Sequence, residues 1–162
     1  MSEQNQVAKL VELTKDIKIA MLTTVDEHGA FTARPMAQQE IEPDGSLWFF
    51  TDRSAHVVDH ISRNPHVGVS LSSSDTWVSI NGQASLVEDV EKKKQLWNAV
   101  VWAWLPQGAE DPSVVLIKVD SESAEYWDSP GKAAMLVQLV KGLVTDDKAQ
   151  DEDDDSSGVV TL

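Results

Sequence analysis

Cysteine is absent from the 162 residues of the chain. Its absence excludes disulfide bonds, thiolate metal sites, iron–sulfur clusters and a cysteine nucleophile, and it agrees with a reducing compartment. No apolar run approaches the roughly 18 residues that cross a membrane. The N-terminal residues lack the basic and apolar regions of a secretory signal. The sequence therefore predicts a cytoplasmic protein with no membrane partner.

Positive charge is scarce. The chain has 13 lysines and arginines against 27 aspartates and glutamates, a net charge of -14. Such a chain repels nucleic acid and anionic lipid, so neither is an expected partner. Seven of the acids lie between Asp146 and Asp155, beside a single lysine. Because this composition is typical of a solvated segment, we expect one folded domain over residues 1–145 and a disordered acidic tail over 146–162.

Several motifs of catalytic and nucleotide-binding sites are also missing. The chain has no Gly-x-Gly-x-x-Gly or Walker loop, no Gly-x-Ser-x-Gly turn and no His-Glu-x-x-His, so the sites that these motifs build are not supported. His56 and His60 stand four residues apart and share one face of a predicted helix. No third ligand follows at a recognisable spacing, so we expect a surface pair and no metal. No catalytic residue is identified.

The chain does contain short apolar or alternating runs separated by turn signals. Strands are predicted at residues 17–25, 30–38, 46–51, 67–72, 76–86, 114–119 and 123–127, and helices at 7–14, from a cap at Asp52 or Ser54 to about 63, at 88–104 and at 133–143. The first three strands are predicted to form an antiparallel meander, and Asn81-Gly82 indicates a bulge. This pattern favours a mainly β fold, an antiparallel barrel with peripheral helices.

Five segments, in chain order, resemble those of a known family. They are Arg34-Pro35-Met36, Leu47-Trp48-Phe49-Phe50-Thr51, the polar helix start Asp52-Arg53-Ser54, Trp77-Val78-Ser79-Ile80-Asn81-Gly82 and Ala124-Glu125-Tyr126-Trp127-Asp128. The series resembles the pyridoxamine 5'-phosphate oxidase-like flavoproteins, and most of all their bacterial general stress protein branch, over roughly residues 7–143. The resemblance implies a split β-barrel of about six or seven strands. It also implies a homodimer with FMN, or FAD in its place, at the subunit interface.

The same resemblance implies which side chains hold the cofactor. Those at the phosphate are Arg34, Thr51, Ser54 and His56, and those at the flavin ring are Pro35, Met36, Trp48 and Phe50, with Trp77 and Trp127 from the partner subunit. A phosphate dianion requires charged, hydroxyl and backbone N–H donors, and a flat ring suits apolar side chains. Relatives usually carry a lysine early in the helix after Ser54, whereas this chain has none between Lys18 and Lys92. Arg53 is the other cation near that helix start, so the phosphate is expected either to be held more weakly here or to be shared by Arg34, Arg53 and His56.

Two classes of function stay open. The first is an FMN-binding general stress protein, either a non-catalytic carrier or sensor or a flavin-dependent oxidoreductase. Oxidation of pyridoxamine 5'-phosphate itself is not expected, because the chain after Trp127 has three lysines and no arginine or histidine to hold the substrate phosphate. The second is a split-barrel dimer that binds another planar ligand, such as haem or a deazaflavin, or that acts only through protein partners.

The six tryptophans of the chain have a simpler expected role. Trp97, Trp102 and Trp104 are predicted to pack in the core or an interface, because large aromatic side chains usually contribute most there. Trp48 and Trp77 alternate with apolar neighbours on predicted strands, so both are expected in the core.

Overall fold

The computed structural model describes residues 2–39, 41–129 and 157–161. The helices are α1 (Glu3–Thr14), α2 (His56–Arg63), α3 (Val90–Leu96) and α4 (Ala99–Trp104). The strands are β1 (Ile19–Val25), β2 (Phe31–Ala37), β3 (Leu47–Asp52), β4 (His66–Ser72), β5 (Thr76–Val87), β6 (Val114–Asp128) and β7 (Ser157–Thr161). They form one antiparallel sheet in the order β2-β1-β4-β5-β6-β3, with β7 beside β6. The predicted antiparallel split-barrel fold is confirmed, and the sheet is not closed.

Alternating side chains along the strands build one core. In β1 the buried positions are Ala20, Leu22 and Thr24, separated by more exposed ones, as the period of a strand requires. Most residues of β3 and of the first half of β6 are buried. Phe49 and Ile117, both fully buried, lie directly opposite each other on these two strands. Burial of each such side chain contributes about 1.5–3 kcal/mol.

The β1–β2 hairpin forms as predicted, but the third strand does not continue it. Asp26 closes the hairpin turn by accepting hydrogen bonds from the N–H groups of His28 and Ala30, at 2.8 and 2.9 Å. Gly29 has a φ of 80° in this turn, which glycine adopts without strain. β3 pairs with β6 rather than with β2. The predicted meander is therefore wrong, and β2 and β3 become the two edges of the sheet.

The predicted bulge at Asn81-Gly82 is confirmed, because the pairing of β5 with β6 shifts register between these residues. A Cβ atom at Gly82 would lie 2.3 Å from the carbonyl oxygen of Asp120, so the two backbones approach too closely for any side chain. Across from the bulge, β6 runs unbroken where the sequence predicted two strands. The polar residues Asp120 and Glu122 are exposed, and a strand tolerates them because their side chains reach water.

The predicted helix over residues 88–104 is two helices. Trp97 is extended after α3, and Asn98 caps α4 by accepting from the N–H groups of Val100 and Val101, at 3.0 and 3.1 Å. Asparagine favours this cap position over a helix interior. Asn98 is therefore the residue that breaks the predicted helix.

Residues 157–161 differ from the disordered tail that the sequence predicts. Residues 157–161 form β7, which pairs with Ser123–Trp127 of β6, and Val160 is 2% exposed. Disorder over 146–162 is therefore wrong for this stretch, where two valines follow the acidic run. Residues 130–156, which include the predicted helix 133–143, lie outside the described residues. Within the described ranges, no helix is long and apolar enough to cross a bilayer.

Candidate cofactor-binding cleft

A cleft of about 330 Å³ lies where the two edge strands of the sheet approach each other. It is lined by Ile19, Pro35, Met36 and Ala37, by Phe50, Thr51 and Asp52, by Ala55, and by Val101, Trp104 and Leu105. Four of the residues predicted at the cofactor, Pro35, Met36, Phe50 and Thr51, therefore meet in one place. A larger groove of about 920 Å³ between α1, the β2–β3 connection and α3 contains none of the predicted residues.

The lining of the cleft is mostly apolar, and the ring of Phe50 within it is held by a neighbouring aromatic ring. The ring of Phe50 meets that of Trp97 edge to face, with centroids 5.2 Å apart, an arrangement that aromatic pairs favour. Val101 is buried beside it, whereas Trp104 stands at the rim with 77% of its surface exposed. Trp104, expected in the core or an interface, is not in the core of this chain, because α4 ends at this residue and leaves its side chain over the cleft mouth.

The polar end of the cleft lies where β3 ends and α2 begins. Thr51 is 8% exposed, and its hydroxyl has no hydrogen-bond partner among the residues described. Ala55 is the N-cap of α2 and makes no side-chain hydrogen bond to the helix. The N–H of Val58 donates to the carbonyl of Ala55, whereas those of His56 and Val57 have no acceptor among the described residues and stay open to a ligand. The partial positive charge of a helix start favours an anion here. The predicted cap at Asp52 or Ser54 is wrong.

Asp52 and Ser54 bind each other instead. One carboxylate oxygen of Asp52 accepts from the hydroxyl of Ser54 at 2.6 Å and from its N–H at 2.8 Å. These two bonds lower the pKa of Asp52 because they stabilise the ionised form. The hydroxyl proton of Ser54 is thus already donated, and a negative charge lines the cleft next to it. Ser54 therefore offers no hydroxyl donor to a phosphate in this arrangement.

Arg34 lies on β2 opposite Leu22, one residue before the cleft. Its NH1 group donates to the hydroxyl of Thr24 at 2.8 Å and to the carbonyl of Leu22 at 3.3 Å, and NH2 lies 3.5 Å from Nδ1 of His60. Burial lowers the pKa of Arg34, yet a guanidinium stays charged in a protein. Its side chain is therefore directed between β1 and α2 and does not line the cleft itself.

Arg34 is nevertheless the arginine whose charge is not balanced. The chain has three arginines. Arg53 pairs with Glu88 and donates to the carbonyl of Pro112, and Arg63 pairs with Glu27 at 3.2 Å. Among the described residues Arg34 has no carboxylate partner, although the chain is strongly acidic. A half-buried cation of this kind is suited to bind an anion, whereas Arg53, expected to share the phosphate, is already paired.

The two predicted histidines lie in different environments. His56 is the exposed first residue of α2, and His60, one turn later, bonds to Thr24 and approaches Arg34. Both line a small cavity of about 180 Å³ together with Asp26 and Asp59. The expected surface pair is therefore correct for His56 only. Across the described ranges, no group of three or more histidines and acids is placed to hold a metal ion.

Trp77 and Trp127 lie outside the cleft, directly opposite each other on β5 and β6, and are 44% and 46% exposed. Trp77 is therefore not in the core, unlike Trp48, which is 6% exposed. Strand pairing places them on the outer face of the sheet with Ile19, Met21, Phe31 and Pro35. We call these six residues the outer apolar face. Ile19 and Pro35 also line the cleft, so the cleft opens onto this face.

Cleft residues missed from the sequence are Ile19, Ala37, Asp52, Ala55, Val101, Trp104 and Leu105. Most carry no local signal of binding, because an apolar residue at a strand or helix end looks like core. Asp52 stood in the polar helix start beside Ser54 and was read there as a cap. β2, β3 and α4 come together only in the folded chain, so no local sequence pattern indicates that they meet.

Known proteins resemble this chain in both sequence and structure. The family model described as "Pyridoxamine 5'-phosphate oxidase like" matches residues 5–151. Protein bli-3 of Neurospora crassa is 31% identical over an alignment of 144 residues, and the match covers 79% of this chain and 68% of that protein.

Among solved structures, the general stress protein 26 of Bacillus anthracis has a TM-score of 0.66 at 26% identity, covering 75% of this chain and 93% of its own. The general stress FMN/FAD binding protein of Xanthomonas citri has a TM-score of 0.67 at 28% identity, covering 80% and 92%. A protein assigned to general stress protein 26 from Jannaschia sp. CCS1 matches 98% of this chain and 99% of its own, with a TM-score of 0.79 at 22% identity, a likeness of fold.

Proposed function

Because the chain belongs to the pyridoxamine 5'-phosphate oxidase-like family, we propose that it is an FMN-binding protein of the general stress type that holds the flavin in the β2–β3 cleft of a homodimer. The observation that carries the proposal is the unbalanced charge of Arg34 beside a cleft lined by Pro35, Met36, Phe50 and Thr51. The Xanthomonas relative described as FMN/FAD binding supports the same class of cofactor.

The donors present fit the phosphate of FMN. A flavin phosphate carries nearly two negative charges and several acceptor oxygens. Arg34 supplies the charge, the start of α2 supplies N–H groups, and Thr51 supplies a hydroxyl. His60, which Arg34 approaches, lies four residues after the start of α2, which is ~6 Å along the helix axis. Guanidinium and helix start are therefore close enough to share one phosphate.

The cleft fits part of the flavin ring, and a second copy of the chain would cover the rest. Its volume of about 330 Å³ is at the lower end of the range for ligand pockets, about 300–1,000 Å³. Ile19 and Pro35 belong both to the cleft and to the outer apolar face. A homodimer formed through this face would bury the exposed Met21 and Phe31 and bring Trp77 and Trp127 of one subunit towards the cleft of the other.

FMN, when bound, supplies the redox chemistry of such a protein. The residues of the cleft bind and orient it and exclude water with their apolar side chains. Asp52 is the titratable group that lines the cleft, and Ser54 holds it ionised, so it accepts hydrogen bonds and does not deliver a proton. An oxidoreductase that takes its protons from water or substrate is consistent with this lining, and we expect no oxidation of pyridoxamine 5'-phosphate.

The absorption spectrum of the freshly purified protein tests the proposal. Flavin bands at roughly 370 and 450 nm, which scale with protein after dialysis, are expected. A single strong band at roughly 400 nm would instead indicate haem. A colourless protein that takes up no FMN on titration would contradict the proposal and leave a role through protein partners. Release of the bound flavin and its chromatography then distinguish FMN from FAD.

A further inference from the structure

Thr24 and His60 form a hydrogen-bonded relay with Arg34 beneath the β1–β2 hairpin. Thr24 is fully buried on β1. Its hydroxyl oxygen lies 2.8 Å from NH1 of Arg34 and 2.8 Å from Nδ1 of His60. NH2 of Arg34 lies 3.5 Å from the same Nδ1. The relay thus joins β1 to β2 and α2, two of the elements that supply donors to the proposed phosphate site.

The direction of each hydrogen bond follows from what the groups can donate. A guanidinium only donates, so the Thr24 oxygen accepts from Arg34. Among the described residues, Nδ1 of His60 is the acceptor available to the single hydroxyl hydrogen of Thr24, so that hydrogen is directed to it. Nδ1 of His60 therefore carries no proton, and in the neutral ring the proton is on Nε2. With a proton on Nδ1, that N–H would face the NH2 group of Arg34, which can only donate, and the hydroxyl hydrogen of Thr24 would have no acceptor among the described residues.

The relay uses one side of the guanidinium and leaves the other open. Both NH1 hydrogens are engaged, by Leu22 and Thr24, and NH2 faces His60. Nε–H and the second hydrogen of NH2 have no acceptor among the residues described. These two N–H groups point the same way and form the pair that a guanidinium offers to two oxygens of a phosphate.

We propose that Thr24 and His60 are positioning residues that hold the guanidinium of Arg34 with its Nε edge presented to the FMN phosphate. This inference rests on the proposed function. It assigns the two residues no contact with the cofactor. Their effect on binding is therefore limited to the phosphate, because the contacts of the flavin ring lie in the cleft on Pro35 and Phe50.

The test compares FMN with riboflavin, which has the same ring and no phosphate. Thr24→Val keeps the shape of the side chain and removes the hydroxyl, and Thr24→Ser restores it. Thr24→Val is expected to weaken FMN binding roughly tenfold, the effect of losing one hydrogen bond of a charged group, and to leave riboflavin binding within twofold. Thr24→Ser is expected to bind both ligands as the wild type does. Ser62→Ala on the outer side of α2, where the hydroxyl donates to Val58, is the matched control.

His60→Phe gives a second test outside the buried core, because His60 is only partly buried. It keeps a flat ring and removes the acceptor, so it should weaken FMN selectively as Thr24→Val does. In an Arg34→Ala background, neither substitution should weaken FMN further. Nitrogen-15 NMR of the histidines should show His60 as the Nε2–H tautomer in the purified protein, whether or not flavin is present.

The outcomes separate this inference from the proposed function. A wild type that binds neither flavin overturns both. A wild type that prefers FMN, together with variants that lose FMN and riboflavin equally or lose neither, overturns the relay and leaves the cofactor assignment standing. A Nδ1–H tautomer at His60 also overturns it.

Discussion

Replacing Arg34 by alanine tests the proposal that its guanidinium binds the phosphate of FMN. The guanidinium is half-buried, has no carboxylate partner among the described residues and keeps one edge free. Loss of its bond to a phosphate should cost about 1.5–3 kcal/mol, the value for a hydrogen bond to a charged group. At 1.4 kcal/mol per factor of ten, the Kd for FMN rises roughly 10- to 150-fold.

Isothermal titration with FMN and with riboflavin measures this change. Arg34→Ala should lose FMN affinity and keep riboflavin affinity within about threefold, because the ring contacts are untouched. Arg34→Lys should lose most of the same affinity, since an ammonium cannot offer two parallel N–H groups. Arg63→Ala, which removes an arginine already paired with Glu27, should change neither. Equal affinity of Arg34→Ala and wild type for FMN would refute the assignment of the phosphate to this residue.

Three further predictions concern the fold, the dimer and the cleft. Gly82→Ala should lower the free energy of unfolding by ~2 kcal/mol or more, because its Cβ would lie 2.3 Å from a backbone oxygen. Gly68→Ala, whose Cβ would have its nearest neighbour at 3.9 Å, should lower that free energy far less. Equal urea midpoints for the two variants would contradict this. Trp77→Lys should convert a dimer into monomers in sedimentation velocity while circular dichroism stays unchanged, and an intact dimer would refute the outer apolar face as the interface. Ser54→Ala removes a bond that lowers the pKa of Asp52, so its cost in stability should be present above about pH 4, the ordinary pKa of an aspartate, and vanish as the pH falls through the lowered pKa. A cost in thermal melts that is the same before and after Asp52 is protonated would contradict it.

The hairpin, the bulge and the strands could be predicted because their signals are local. Asp26 and Gly29 mark a tight turn by themselves, and Asn81-Gly82 interrupts an otherwise regular strand. The pairing of β3 with β6 could not be predicted in this way. It joins residues more than sixty positions apart, and nothing in the apolar run of β3 distinguishes β2 from β6 as its neighbour.

The candidate site, like the fold, could be predicted only in part. Pro35, Met36, Phe50 and Thr51 were found through a resemblance to known sequences, and they meet in one cleft. Trp104 was missed because a tryptophan on an amphipathic helix looks like core, and its exposure depends on where α4 ends. Asp52 bonds to Ser54, and Arg53 pairs with Glu88. Each of these side chains has several possible partners in the sequence, and only the folded structure shows which one it contacts.

The most direct test of the central claim is a crystal structure of the protein grown with FMN. The account predicts one flavin per chain in the β2–β3 cleft, with its phosphate on Arg34 and the start of α2 and with Trp77 or Trp127 of a second copy beside the ring. A flavin bound elsewhere, or one whose phosphate extends into solvent away from Arg34, would contradict it.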